Sequence, residues 1–416
     1  MRIVYLVLCI GIIASAAHAQ NPLDGLESKA SSAEALIHLG NLNIEANRDA
    51  KARQLFKQAE IKLRDPADAH LGLAEIKVKN SDLRRAKYAC RLLEKKFSRS
   101  PVPRICFGRM WLKFDRSGRA LEDFESVKNT GDVRVLAGLA QTYDIMNEYD
   151  KSIALYNEAL KNGAGYEAWI GLGMVLERKG DRAAALKALE KAVEMEPNSP
   201  LALYHLGRLM NTGKKAAEYI EKALSIRPEW ADAYGTLGSI WLDSNVLQAT
   251  DAFQKAISLE SDRGTFHIGL GSALFKQKKF EDARKELIRA LELVPNHIDA
   301  TRMLSEVELE LGNTDRAIQL AEMAVQISPN NAEICFQTAL MFYKTRRYTQ
   351  ANAHFLRTLS MEPDNSAAQV YMGDIACERR MYPDGVKHYQ NALTGNLKGF
   401  SRQEIDKRIK RCVPPK

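Results

Sequence analysis

YEAWIGLGMVLERKGDRAAALKALEKAVEMEPNS, residues 166–199, holds the pattern that sets the fold. Two stretches of helical period lie in it, near Tyr166 to Arg178 and near Arg182 to Met195. Lys179-Gly180-Asp181 between them is a turn signal, and Pro197-Asn198 closes the unit. Trp169, Leu172 and Leu176 share one face of the first stretch, and small Gly173 interrupts that face so that a partner helix can come close. Ala185, Leu189 and Ala192 recur on the second stretch, two small residues around a large one. Two such short helices cannot cover their own apolar faces, so the unit requires neighbours.

Shifted by about thirty-four residues, the same pattern recurs along the chain, the mark of a stacked helical repeat. Leu39, Gly40, Ala52 and Phe56 hold the register in the first copy, Leu206, Gly207, Ala216 and Ile220 in the sixth, and Leu270, Gly271, Ala283 and Leu287 in the eighth. The copies fall near 33–66, 67–100, 101–132, 133–165, 166–199, 200–230, 231–263, 264–297, 298–331, 332–365 and 366–399. A polar stretch at 20–32 reads as a flexible lead-in. Residues 400–416 read as a last helix, apolar through Phe400, Ile405, Ile409 and Cys412, with a basic tail. Three copies depart from the pattern. The second has His70 and Lys77 at large apolar positions. The sixth is about three residues short at Asn211-Thr212-Gly213-Lys214, which predicts a tighter turn between its helices. The eleventh has Gly385 where Ala is usual.

The pattern resembles the tetratricopeptide repeat family, whose large, Leu-Gly, Ala and Pro positions are filled here by Trp169, Leu172-Gly173, Leu176, Ala185, Leu189, Ala192 and Pro197. The resemblance implies an all-α fold: a right-handed superhelical solenoid of about eleven helix-turn-helix units ended by a capping helix. It also implies that first helices line a concave groove. Carrying the family's groove positions over gives Ile170, Met174 and Arg178 in the fifth copy and Tyr204, Arg208 and Asn211 in the sixth. In the eighth they fall on Ile268, Phe275 and Lys276, and in the tenth on Phe336, Leu340, Tyr343 and Lys344. Aromatic and Met residues beside Arg or Lys suit a peptide or helix segment with apolar anchors and acidic flanks. The carboxylate-clamp subset of the family is not matched, because Ile37 stands at its Lys position beside Asn41.

The first nineteen residues carry Arg2, an apolar run from Ile3 to Ile13 and Ala17-His18-Ala19. They read as a secretory signal peptide, with the mature chain starting at Gln20 and exported to a bacterial periplasm. The run is too short to span a bilayer, so no transmembrane segment is expected in the mature chain. Five cysteines follow the leader. Cys90 with Cys106, and Cys377 with Cys412, lie on neighbouring helices. Each pair reads either as a disulfide or as small buried apolar groups.

No phosphate-cradling glycine loop, His-Glu-x-x-His, Cys-x-x-Cys or Gly-x-Ser-x-Gly is present. The histidines are scattered through different copies as packing or solvated groups. No catalytic residue, no cofactor and no metal site is expected. The net charge is +8. Lys398, Arg402, Lys407, Arg408, Lys410, Arg411 and Lys416 gather at the end, either as a patch for anionic partners or as the solvated back of the cap. Nucleic acid is not expected as a partner of an exported chain. The expectation is therefore a non-catalytic periplasmic scaffold that recruits proteins through its groove, within an envelope assembly, secretion, pilus or polysaccharide-export system. A second reading is a binder of cell-wall glycan or exopolysaccharide through groove aromatics.

Overall fold

The computed structural model describes residues 21–412 apart from Ser28, Asn396 and Lys398, so the expected leader lies outside the described residues. Those residues form 24 α-helices and one short 3-10 turn, with no strand among them. They divide into two compact units after Trp241. The division falls inside the seventh copy, between its two helices.

The first unit holds α1 (Asp24–Glu27), then the pairs α2 (Ala33–Glu45) and α3 (Asp49–Lys62), α4 (Ala67–Lys79) and α5 (Leu83–Lys96), and α6 (Val102–Lys113) and α7 (Ser117–Glu125). The pairs α8 (Val133–Ile145) and α9 (Tyr149–Lys161), α10 (Tyr166–Lys179) and α11 (Arg182–Met195), and α12 (Pro200–Met210) and α13 (Lys214–Ile226) follow, and α14 (Ala231–Trp241) ends it. The second unit opens with α15 (Val246–Leu259). The pairs α16 (Gly264–Lys276) and α17 (Phe280–Leu293), α18 (Ile298–Glu310) and α19 (Thr314–Ile327), α20 (Ala332–Lys344) and α21 (Tyr348–Met361), and α22 (Ser366–Glu378) and α23 (Tyr382–Thr394) come next. The last helix is α24 (Arg402–Cys412).

The helices of residues 166–199 fall where the periodicity places them. Gly180 ends α10 at φ +93°, and the Asp181 side chain accepts the Ala184 N–H at 3.0 Å to start α11. The same turn position is left-handed in most pairs, occupied by Asn47, Asn147 and Gly312 but also by Lys278, Arg346 and Arg380. The short sixth copy departs from the expectation. Its turn has three residues, as many as the turn between α2 and α3, and the deletion comes out of α12, which has 11 residues where α10 has 14.

Packing within each unit rests on large rings set against glycines. Phe124 is fully buried between α6 and α8, and a Cβ on Gly108 or Gly138 would come within 2.4 Å of its ring. Phe56 is held in the same way between Gly40 and Gly72 in the first unit, and Phe253 against Gly269 in the second. Phe56 and Phe124 thus each close on their own first helix and on that of the next copy, and each contact needs a missing side chain. Gly138→Val should force the Phe124 ring off its rotamer and cost about 1–2 kcal/mol in a urea melt. Gly118→Ala, where nothing lies within 4 Å, is the control and should leave the urea midpoint at or slightly above wild type.

The stretch expected as a flexible lead-in is tied down. Leu23 is fully buried, the Asn21 side-chain amide donates to the Ile226 carbonyl at 2.8 Å, and Lys51 pairs with Glu27 at 2.5 Å. Both candidate disulfides are formed. Cys90–Cys106 joins α5 to α6, and Cys377–Cys412 joins α22 to α24, with Cα–Cα separations of 5.5 and 5.3 Å. Cys335 is free and buried. The second disulfide explains Gly385: a Cβ there would stand 2.4 Å from the Cys377 sulfur and 2.7 Å from that of Cys412. The sulfur bridge occupies the space that Ala fills elsewhere.

Candidate protein-binding interface

In the first unit the predicted groove residues are largely occupied by the protein itself. Ile170 is buried and Met174 half-buried. Arg178 forks onto buried Asp144, one copy earlier, with its Nε donating at 2.9 Å. Arg208 forks onto Glu177 in the same sense, Nη1 donating at 3.0 Å, and Arg109 pairs with Glu75. Each arginine therefore stitches a first helix to the preceding one. Tyr204 packs on Trp230 with centroids 4.4 Å apart, and Arg227 caps that Trp at 4.4 Å. Asn211 adopts φ +64° and ends α12, a backbone role that its place in the sequence did not disclose.

Contacts far apart in sequence narrow this groove further. His38 meets Glu196 at 2.7 Å, and Glu45 accepts hydrogen bonds from the Tyr166 hydroxyl at 2.7 Å and from Ser199 Oγ at 2.6 Å. The first pair is thereby clasped to α10 and to the segment between α11 and α12. Burial pushes the Glu45 carboxyl up to about 7 against the two hydrogen bonds, and Glu167 and Glu196 push it the same way. The clasp leaves a cleft of about 490 Å³ between the first helices, lined by Ile37, Asn41, Arg109, Arg134 and Glu167 among others. Arg134 is saturated there by Asp132 and by Asp68, the latter at 2.6 Å.

The second unit offers a different surface. Phe336, Leu340 and Tyr343 on α20 are half-buried, and Lys344 beside them is exposed and makes no ion pair among the described residues. Tyr371 on α22 is the centre of the cluster. Its ring lies 5.2 Å from Tyr343, 6.1 Å from Phe336 and 5.8 Å from Phe400, and stacks parallel to Phe355 at 5.8 Å. Arg408 sits 5.3 Å over Phe400 and pairs with Asp374, which also accepts the Tyr389 hydroxyl at 2.6 Å. Burial, with Asp374 and Glu378 adding to it, pushes the Tyr343 hydroxyl up to about 12, so the ring presents a neutral hydroxyl at any physiological pH. Ile268 is half-buried, Phe275 packs on Phe280 at 5.5 Å, and Lys276 pairs with Asp243 at 2.6 Å, so these three stand outside the Tyr371 cluster. Tyr371 lies off the groove positions carried over from the family. Its signal was the local density of rings: Phe336, Tyr343, Tyr348, Phe355, Tyr371 and Phe400 within 65 residues.

Among the described residues no group of three or more His, Cys, Asp or Glu side chains is placed to hold a metal, and no helix is long and apolar enough to cross a membrane. What both units define is an α-helical repeat protein whose first-helix faces carry rings and paired charges. The tetratricopeptide repeat model matches at 137–200, 171–234, 243–295 and 268–332, so the chain carries tetratricopeptide repeats over those residues. Human protein O-mannosyl-transferase TMTC3 is 23% identical over 268 residues, covering 59% of this chain and 29% of that protein. The type IV pilus assembly protein PilF of Pseudomonas aeruginosa is 25% identical over 154 residues, covering 36% of this chain and 61% of that protein. The chain thus spans less than two thirds of either relative. The crystal structure of yeast Tom70 is similar over 91% of this chain and 94% of that one, with a TM-score of 0.44 and 14% identity.

Proposed function

We propose that this chain is an exported, non-catalytic scaffold that recruits a protein segment onto the α20–α22 face of its second unit. The observation that carries the reading is the half-exposed ring cluster around Tyr371, with Lys344 exposed at its edge and in no ion pair among the described residues, where Arg178 and Arg208 of the first unit are already paired. Rigid rings lose little entropy on contact and make effective anchors, and an unpaired lysine favours an acidic flank on the bound segment. Two disulfides support an oxidising compartment, in keeping with the leader-like first nineteen residues and a periplasmic site of action. Cleavage after Ala19 belongs to the same reading. A role in a pilus, secretion or polysaccharide-export assembly follows from it, and the match to PilF supports that direction.

The test is site-specific photo-crosslinking from Lys344 in the native envelope, with exposed Lys187 of the first unit as the control. A discrete protein adduct at Lys344, absent at Lys187 and lost in a folded Tyr343→Glu variant, is the expected result. No adduct, or one indifferent to Tyr343→Glu, overturns the assignment of this face. Retention of glycan instead of protein on the immobilised chain moves the polysaccharide reading ahead.

A further inference from the structure

The second copy departs from its pattern at two packing positions, and the structure shows the consequence. His70 and Lys77 stand on α4 where large apolar residues close a helix pair, and neither fills the gap. The helices α4 and α5 pack less closely than those of any other pair in the first unit. Between them opens a cleft of about 550 Å³, within the range of small-molecule sites. Its floor is apolar, built from Leu73, buried Leu93 and Leu92, which is 42% exposed. Its rim is cationic, built from Lys77, Lys95 and Lys96.

The charges around the rim do not cancel. Glu60 is an acidic group at this edge. It takes His70 at 2.9 Å and Lys96 at 3.8 Å. Lys77 and Lys95 are exposed and make no ion pair among the described residues. An apolar slot under two uncommitted ammonium groups is complementary to one kind of ligand, with a hydrocarbon body and a single anionic end.

We propose that the cleft between α4 and α5 binds a single-chain anionic amphiphile, an alkyl carboxylate, with its chain on Leu73 and Leu93 and its head group at Lys77 and Lys95. The site lies in the first unit and the Tyr371 face in the second, and the two proposals stand or fall independently. Chain length sets affinity through methylene burial, and the head group sets selectivity through the lysines.

The experiment is isothermal titration of the full chain with octanoate, decanoate and dodecanoate below their micellar concentrations. Dodecanol and dodecyltrimethylammonium serve as head-group controls. The expected result is one site, affinity rising up to about fourfold per methylene (the equivalent of ~0.8 kcal/mol), and no binding of the cationic amphiphile. Lys77→Gln with Lys95→Gln should weaken dodecanoate at least about tenfold and leave dodecanol unchanged. His70→Leu with Lys77→Leu restores the large apolar pair. It should abolish binding with a thermal midpoint equal to or above wild type, folding being checked by circular dichroism. The proposal is overturned if the wild type binds no carboxylate or takes the cationic amphiphile equally well. It is also overturned if binding survives the filling variant, or if only anionic vesicles are bound.

Discussion

Replacing Cys412 with serine is expected to destabilise the end of the second unit by roughly 4 kcal/mol, the chain-entropy value for a closed loop of 35 residues. Without the bridge, α24 is held by buried Ile405, by the Arg408–Asp374 pair and by Phe400 against Tyr371. Those contacts leave the helix close to its unfolding threshold, so amide exchange across 402–412 should accelerate well before the rest of the unit melts. Gly385 makes the prediction specific. With the disulfide present, Gly385→Ala puts a methyl group into the two sulfurs and destabilises. With Cys377 and Cys412 both changed to Ala, Gly385→Ala meets smaller neighbours and gains helix propensity, roughly 0.5–1 kcal/mol. The two changes are therefore strongly non-additive in a double-mutant cycle. An equal effect of Gly385→Ala in both backgrounds would show that the bridge does not set the residue at this position.

Much of this architecture was legible because each copy repeats the same local physics. A turn residue at Gly180, a small residue at Gly173 and a large one at Leu189 each fix a contact that depends only on position within the copy. The departures were legible as departures but not as consequences. Gly385 reads as a weak match until the Cys377–Cys412 bridge is seen beside it. The glycines Gly72 and Gly138 carry no signal alone. Their meaning lies in Phe56 and Phe124, which precede them by one helix and close on the next copy. The groove residues were harder, because position in a repeat says which way a side chain points and not what meets it there. Arg178 and Arg208 point as expected and are consumed by Asp144 and Glu177. The clasp from His38 and Glu45 to residues 166–199 joins side chains 121 to 158 positions apart, where no repeat register carries information.

Within that clasp, the contribution of Glu45 to stability should fall as pH rises from about 5 to 8, opposite to the usual carboxylate behaviour. Glu45 has its folded pKa raised from 4.5 to about 7, chiefly by burial. Its contribution is therefore complete below about 4.5 and is lost as pH climbs through 7, a change of about 2–3 kcal/mol. His38 acts in the same direction. Its pKa is raised by the hydrogen bond to Glu196, with Glu167 and Glu45 contributing, so its stabilisation too is lost on the alkaline side. Glu196 opposes them only in acid. Its pKa is lowered by the hydrogen bond from His38 and by Lys222 against the effect of burial, and its stabilisation is lost as pH falls below the usual carboxylate range. His205, in the same unit, has its pKa pushed down to about 4 by burial and gains stability over part of the range from about pH 5 to 8, so the clasp is read as the difference between wild type and Glu45→Gln. Urea melts of the full chain between pH 5 and 8, with amide exchange followed at 33–45, measure this directly. Glu45→Gln keeps the shape and removes the charge, so it should take out the Glu45 slope and exceed wild type by about 2 kcal/mol at pH 8. If the stability difference between Glu45→Gln and wild type does not grow across that range, Glu45 is not held against its charge and the clasp has another origin. If Glu45→Gln instead frees residues 33–45 at every pH, the carboxylate is needed as an ion.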